Sequence, residues 1–379
     1  MDKCIAILTV SIGAGHQQVS QALKEELEER GYKAEIYDVF SIMNKQRADR
    51  MKAVYFHCIR SFPLLWNWIY RLTDKQVNAV LLRPFLAVCW KELLTFFDDA
   101  TVEAVIATHP LAAQLGILIK QQLGGNVKLF SVLTDFTAHK MSLAKQADAV
   151  FVAEKNEAEQ LSKKYGHITI YGLGIPLKKT WDQWEREAVR EQLQLSPDQK
   201  VIVVSGGGEG LAGEEVIMSL LKNDPLSYSV YWFNGQGREV SEEPVHLKNG
   251  SIVYYMPFSP RYSEYVKVAD LLISKPGGVS MAEALYWNVP TGMVSPLPGQ
   301  ERMNQSILDQ YDNMIILDEH SVLSEIIEKK QQERPAARRP QRLARRLVVD
   351  RMISHLEKNQ STLEAGEKKQ KRSWRDIVL

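Results

Sequence analysis

One arrangement occurs in both halves of this chain and limits the folds open to it. The apolar run Cys4-Ile-Ala-Ile-Leu-Thr-Val10 leads into the glycine turn Gly13-Ala-Gly-His16, and Val19, Ala22, Leu23 and Leu27 then recur at helical spacing. An apolar run without alternation is a strand covered on both faces, as in a parallel sheet. Gly31 stops the helix, and the run from Ala34 to Val39 reads as the next strand, which completes a βαβ unit. In the second half, Lys200-Val-Ile-Val-Val-Ser205 enters Gly206-Gly-Gly in the same manner. Further apolar runs at Ala104–Thr108, Lys128–Thr134, Ala149–Val152 and Thr169–Pro176 extend the first half. Runs at Ser229–Phe233, Ile252–Tyr255, Leu271–Ser274 and Thr291–Val294 extend the second. The prediction is an α/β chain of two doubly wound parallel sheets. Its 379 residues exceed what a single core holds. The expected divisions are residues 1–175, residues 176–334 with a polar, helix-prone stretch at Leu177–Leu193, and a basic, helix-prone tail at 335–379.

Charge and cysteine usage remove several classes of function. A formal net charge of +1 argues against a general nucleic-acid binder, whose affinity comes from neutralising phosphates. Cys4, Cys58 and Cys89 stand far apart, with no Cys-x-x-Cys pair, and read as reduced thiols of a cytoplasmic protein. No apolar run approaches the roughly 20 residues of a membrane span; Arg83 and Pro84 break the longest, Ala79–Trp90. Any membrane contact is therefore expected to be peripheral. One segment, from about Asp49 to Phe97, is both aromatic and basic. Between Arg50 and Leu94 it has seven basic residues against Asp74 and Glu92. Tryptophan and tyrosine suit the membrane interface and basic residues suit anionic head groups. Arg60, Trp66, Trp68 and Arg71 are the candidate contacts. The alternative is a pair of amphipathic helices packed on the sheet.

Several turns carry candidate chemistry. At Gly13–His16 the glycines let a ligand approach the main chain, and the following helix presents free N–H groups and a positive dipole end. His16 there is a general base or a bystander. Gln18 stands where a dinucleotide fingerprint needs a third glycine, and Asp38 is the sole acidic contender for a ribose in this half. In Ser274-Lys-Pro-Gly-Gly-Val-Ser-Met-Ala-Glu283, the N–H groups of Gly277, Gly278 and Val279 can cradle a diphosphate. Glu283 is a ribose ligand or an acid favoured by the helix dipole. Gln300, Glu301 and Asn304, behind Pro296-Leu-Pro-Gly299, suit sugar hydroxyls or make a solvated loop. Ser205–Gly210 lacks the lysine of a P-loop. Thr134-Asp135-Phe136 with His139 offers a carboxylate that supports a histidine base, or a helix cap.

In order and spacing these motifs resemble the processive diacylglycerol glucosyltransferases and monogalactosyldiacylglycerol synthases, relatives of the transferase that adds N-acetylglucosamine to the peptidoglycan lipid precursor. The resemblance runs from about Ile5 to Asn304 and includes Gly174-Ile-Pro176. It implies a GT-B fold, two Rossmann-like domains facing a central cleft, with the acceptor on the first domain and a UDP-sugar on the second. It implies inversion at the anomeric carbon with no metal or other cofactor, and the chain has no Asp-x-Asp. His16 maps onto the proposed base, supported by Asp135, with Gly15 and His109 on the acceptor side. Glu283 maps onto the ribose ligand, and Gln300 and Glu301 onto donor-sugar contacts. Gly206, Lys275, Gly277, Gly278, Val279 and Asn304 complete the donor site. The implied reaction moves glucose or galactose to a lipid acceptor, diacylglycerol, at an anionic membrane surface on the inner face of the cell membrane. The competing acceptor is isoprenoid-linked or soluble, and the competing class is a regulator that binds UDP-sugar without catalysis.

Overall fold

The computed structural model describes residues 4–11, 13–43, 45–61, 102–123, 126–179, 185–206, 213–235, 243–296, 299–332 and 343–358. Trp66, Trp68 and Arg71 lie outside them, as does the side chain of Arg60, whose backbone belongs to the helix Lys45–Ser61.

The apolar runs form two sheets. The first contains β1 (Cys4–Thr9), β2 (Lys33–Asp38), β3 (Val102–Ala107), β4 (Lys128–Val132), β5 (Ala149–Val152) and β6 (Ile170–Gly172). Its order is β2-β1-β3-β4-β5-β6 and every pairing is parallel. Burial on both faces explains the unbroken hydrophobicity of β1, in which all six residues are buried. The second contains β7 (Val201–Ser205), β8 (Ser229–Phe233), β9 (Val245–His246), β10 (Ile252–Met256), β11 (Leu271–Ser274), β12 (Thr291–Met293) and β13 (Met314–Ile316). They run β13-β12-β11-β7-β8-β10-β9 across the sheet, with β9 antiparallel to β10. The two sheets are the paired Rossmann-like layers expected of the GT-B fold.

In each sheet the chain leaves one strand in both directions. That switch point lies between β1 and β3 in the first sheet and between β7 and β11 in the second. Loops diverge there and open a crevice at the carboxyl ends of the strands. The two crevices face each other, since a Cβ placed on Gly15 would lie 3.0 Å from Val279 Cγ2.

Two regions differ from the sequence expectation. The polar stretch after Leu177 is helical only at Arg186–Gln192 among its described residues. The basic tail does not stand apart: a helix at 343–358 packs against the first domain. Val348, Val349, Met352 and Leu356 are buried in the same apolar cluster as Ile5 and Phe130, and Ala344 is buried too. Arg345, itself buried, donates from Nε to Glu26 Oε2 at 2.8 Å and from a terminal nitrogen to the Leu177 carbonyl at 3.1 Å. Burial pushes the Glu26 carboxyl up, but its bonds to Arg345 and Arg30 outweigh this and hold it below the usual range. No described helix is long and apolar enough to cross a membrane.

Candidate active site

A cleft of about 540 Å³ opens between the two switch points, a size that suits a small-molecule site. From the first domain come Gly13–Gln18 and the Thr134-Asp135 segment. From the second come Ser205, Phe258–Pro260, Lys275, Gly277–Ser280, Glu283 and Glu301.

His16 is the second residue of the helix Gly15–Glu29. Its Nδ1 lies 2.8 Å from the Thr108 carbonyl and 2.9 Å from Thr134 Oγ1. A carbonyl only accepts, so Nδ1 carries the proton and Nε2 keeps its lone pair. Burial lowers the His16 pKa, against the attraction of Asp135 and the Thr108 carbonyl. The positive end of the helix also disfavours the imidazolium. The ring is thus a neutral acceptor of protons. His109 packs edge-on against it, with centroids 4.6 Å apart. The Leu111 N–H donates to His109 Nδ1 at 3.1 Å, so that nitrogen is unprotonated. Burial, then the nearby His16 and His139, hold His109 neutral as well. Asp135 is pushed up by burial, opposed by His16, Asn304 and the Gly278 N–H.

The helix Gly278–Trp287 starts opposite. Its first intrahelical bond runs from Met281 N–H to the Gly277 carbonyl, so the N–H groups of Val279 and Ser280 stand outside the helical ladder. The Gly277 N–H is used by the Lys275 carbonyl at 2.8 Å, and that of Gly278 faces the Asp135 carboxylate. The N–H groups outside the ladder and clear of these partners are therefore those of Val279 and Ser280. A Cβ on Gly278 would lie 2.0 Å from the Thr134 carbonyl oxygen, so only glycine fits this crossing of the domains. Glu283 is buried and accepts from Ser263 Oγ at 2.8 Å. Burial raises its pKa to about 7.

The remaining expected residues fall into different positions. Lys275 pairs with Glu301 at 3.0 Å on the cleft wall. Gln300 donates to the Thr137 carbonyl at 2.9 Å and lies behind the wall. Gly206 is buried after β7, while its neighbour Ser205 reaches the cleft. Asn304 is wholly buried, with its amide committed to protein partners and not directed at the cleft. Asp38 accepts from Ser11 N–H, Phe40 N–H and Ser41 Oγ, so it caps the next helix and pins the first turn instead of reading a ribose. His139 accepts from Met141 N–H and caps a short 3₁₀ turn.

Sequence reasoning missed Lys178, Tyr262 and Ser263, all on the cleft wall. Lys178 was within reach, because it lies two residues after Gly174-Ile-Pro176. Tyr262 and Ser263 belong to a different helix from Glu283, and no local pattern marks their meeting. Among the described residues no three His, Cys, Asp or Glu side chains gather as a metal-binding group.

Comparison with known proteins agrees with this geometry. Residues 16–177 match the family described as monogalactosyldiacylglycerol (MGDG) synthase, and residues 201–364 match the glycosyltransferase family 28 C-terminal domain. A processive diacylglycerol beta-glucosyltransferase of Bacillus licheniformis is 25% identical over 331 residues, covering 86% of each chain. The crystal structure of Acinetobacter baumannii MurG superposes with a TM-score of 0.57 at 15% identity, over 92% of this chain and 98% of that one. A transferase from Siraitia grosvenorii in complex with UDP gives 0.55 at 11% identity, over 94% and 100%. These structural likenesses establish the fold, and the two family matches together span both domains and the cleft between them. The chain is a glycosyltransferase of the GT-B fold, whose first domain is similar to MGDG synthases and whose second is similar to the family 28 C-terminal domain.

Proposed function

We propose that this enzyme transfers a hexose, glucose or galactose, from a UDP-sugar to the hydroxyl of a lipid acceptor, diacylglycerol, with inversion at the anomeric carbon. The observation that carries this reading is the 2.8 Å contact of His16 Nδ1 with the Thr108 carbonyl, which leaves Nε2 as a base across the cleft from the start of the helix Gly278–Trp287. His16 Nε2 takes the acceptor's hydroxyl proton as the oxygen attacks C1 of the sugar. The bond from C1 to the diphosphate breaks on the opposite face, and UDP departs with the electron pair. The N–H groups of Val279 and Ser280 and the helix dipole receive that charge, with Lys178 and Lys275 as nearby cations. Glu283, ionised, accepts from the ribose hydroxyls. Glu301 borders the space left for the donor sugar, and Gln300 lies behind it. No metal is assigned a role in these steps.

The acceptor assignment draws on the Bacillus relative's name and on the aromatic-basic segment of the first domain. With that segment against anionic lipid, the enzyme works as a peripheral protein on the inner face of the cell membrane. The test is incubation with UDP-glucose, UDP-galactose and UDP-N-acetylglucosamine over mixed lipid vesicles, with products identified by mass spectrometry. Glycosylated diacylglycerol from one of the first two donors is expected. Transfer to a soluble or isoprenoid-linked acceptor alone would overturn the acceptor assignment.

A further inference from the structure

Four consecutive residues of the first domain meet the donor elements of the second. The Thr134 carbonyl and Asp135 crowd Gly278, leaving no room for a side chain there. The Phe136 N–H donates to Asn304 Oδ1 at 2.9 Å, and the Thr137 carbonyl accepts from Gln300 at 2.9 Å. Asn304 is the centre of this seam. Its Nδ2 donates both to Asp135 Oδ1 at 2.9 Å and to the Pro276 carbonyl at 3.0 Å. One wholly buried amide thus binds the carboxylate beside His16, the backbone next to that carboxylate, and the loop that starts the donor helix. An asparagine side chain has two donor hydrogens and one acceptor oxygen, and each has a partner here. An amide with every position used in a buried network holds its neighbours in one arrangement.

We propose that Asn304 is a positioning residue that couples the donor loop to the acceptor's base through Asp135, a proposal that rests on His16 being that base. It touches neither substrate. It fixes the orientation of Asp135 and favours its ionised form, while its second hydrogen ties that orientation to Pro276. A donor that shifts the Pro276–Gly278 loop shifts Asp135 with it. The charged and titratable groups around His16 are then Asp135, from the loop after β4, and His109, from the loop after β3. Glu301 faces Asp135 from the second domain, and His139 lies beyond His109. Of these, Asp135 is the one held from both domains.

A double-mutant cycle on kcat tests the coupling, using Asn304→Ala, Asp135→Ala and both together, with UDP affinity measured by calorimetry. Asn304→Ala is expected to lower kcat by about tenfold or more, the scale of a hydrogen bond to a charged group. UDP affinity should change by less than about threefold. If Asn304 acts through Asp135, the double variant is no slower than Asp135→Ala alone. Losses that multiply, or an Asp135→Ala enzyme with unchanged kcat, would overturn the proposal. NMR titration of the His16 ring in the same variants gives a readout that needs no turnover. The midpoint should fall in Asn304→Ala, because Asp135 then takes its proton more readily and withdraws its charge. An unmoved midpoint rejects the coupling whatever the role of His16, whereas wild-type turnover in His16→Ala rejects the base and leaves the titration to decide the coupling. If Asn304→Ala does not fold, Asn304→Ser enters the same cycle.

Discussion

The two glycine turns that face each other across the cleft share their architecture and differ in their chemistry. Each joins the end of a switch-point strand to a helix, so each presents a positive dipole end to the same space. At the first turn that field acts on a side chain, keeping His16 neutral and its Nε2 free. At the second it acts through N–H groups outside the helical ladder, while the acidic side chain of the helix is buried and bonded to Ser263. In the proposed reaction one backbone device thus serves a base on one side and a leaving group on the other.

Removing the base separates the two turns most sharply. His16→Ala should lower kcat by on the order of 10²–10⁴, with UDP affinity unchanged, since no proposed UDP contact comes from that residue. Calorimetry and turnover on the same preparation check this, and a joint loss of both would merge the two turns into one site. Because the His16 pKa is lowered, the acid limb of kcat should fall below pH 6.5, the ordinary histidine value. A limb above that value would assign the proton to another group.

The next effect concerns how the first turn's helix is held. Arg345 reaches from the helix at 343–358 to Glu26 on the helix that carries His16, and both are nearly excluded from water. Arg345→Ala leaves a buried carboxylate that keeps, among the described residues, Arg30 at 3.1 Å as its charged partner. The expected cost in a denaturant titration is about 3 kcal/mol. The second turn's helix has no such strap among the described residues, so its UDP affinity should survive in the folded fraction. A change below about 0.5 kcal/mol would show that the C-terminal helix is held by its apolar face alone.

Glu283 tests the second turn. Burial raises its pKa to about 7, so it is ionised above that pH and neutral below it. Ribose hydroxyls donate best to the carboxylate, so UDP affinity should weaken as pH falls through about 7. Glu283→Gln should remove that component of the pH dependence and weaken UDP at high pH by about tenfold or more. An unchanged dissociation constant would make Glu283 only a partner for Ser263. The smallest effects belong to the membrane. Each basic residue near an anionic surface contributes about 1 kcal/mol, screened within roughly 8 Å. Binding to phosphatidylglycerol vesicles at low salt, with release at high salt, should weaken in Arg60→Glu with Arg71→Glu and in Trp66→Ala with Trp68→Ala. No binding to anionic vesicles at low salt would return the aromatic-basic segment to the core.

Much of the frame was legible in the chain. β1, β4, β7, β8 and β11 are long enough and apolar enough to declare themselves, and the glycine turns fall where parallel sheets place their ligands. β9 and β13, of two and three residues, carry no period to detect. The cleft lining was legible where a residue stands next to its own turn, as at His16 and at Val279. It was not legible where the chemistry needs a partner far along the chain. Asp38 and Asp135 look alike in sequence, each an acid near the end of a strand, yet one caps a helix and the other meets the opposite domain.

What the sequence by itself determined is the pair of doubly wound sheets and the two turns, because apolar periodicity and glycine placement are local properties of the backbone. Which nitrogen of His16 is free, that Asn304 joins the domains instead of facing the sugar, that Glu283 titrates near neutrality, and that Arg345 straps the last helix to the first were decided only by tertiary structure. Hydrogen-bond partners and burial depend on neighbours more than a hundred residues away, and no pattern read along the chain contains that distance.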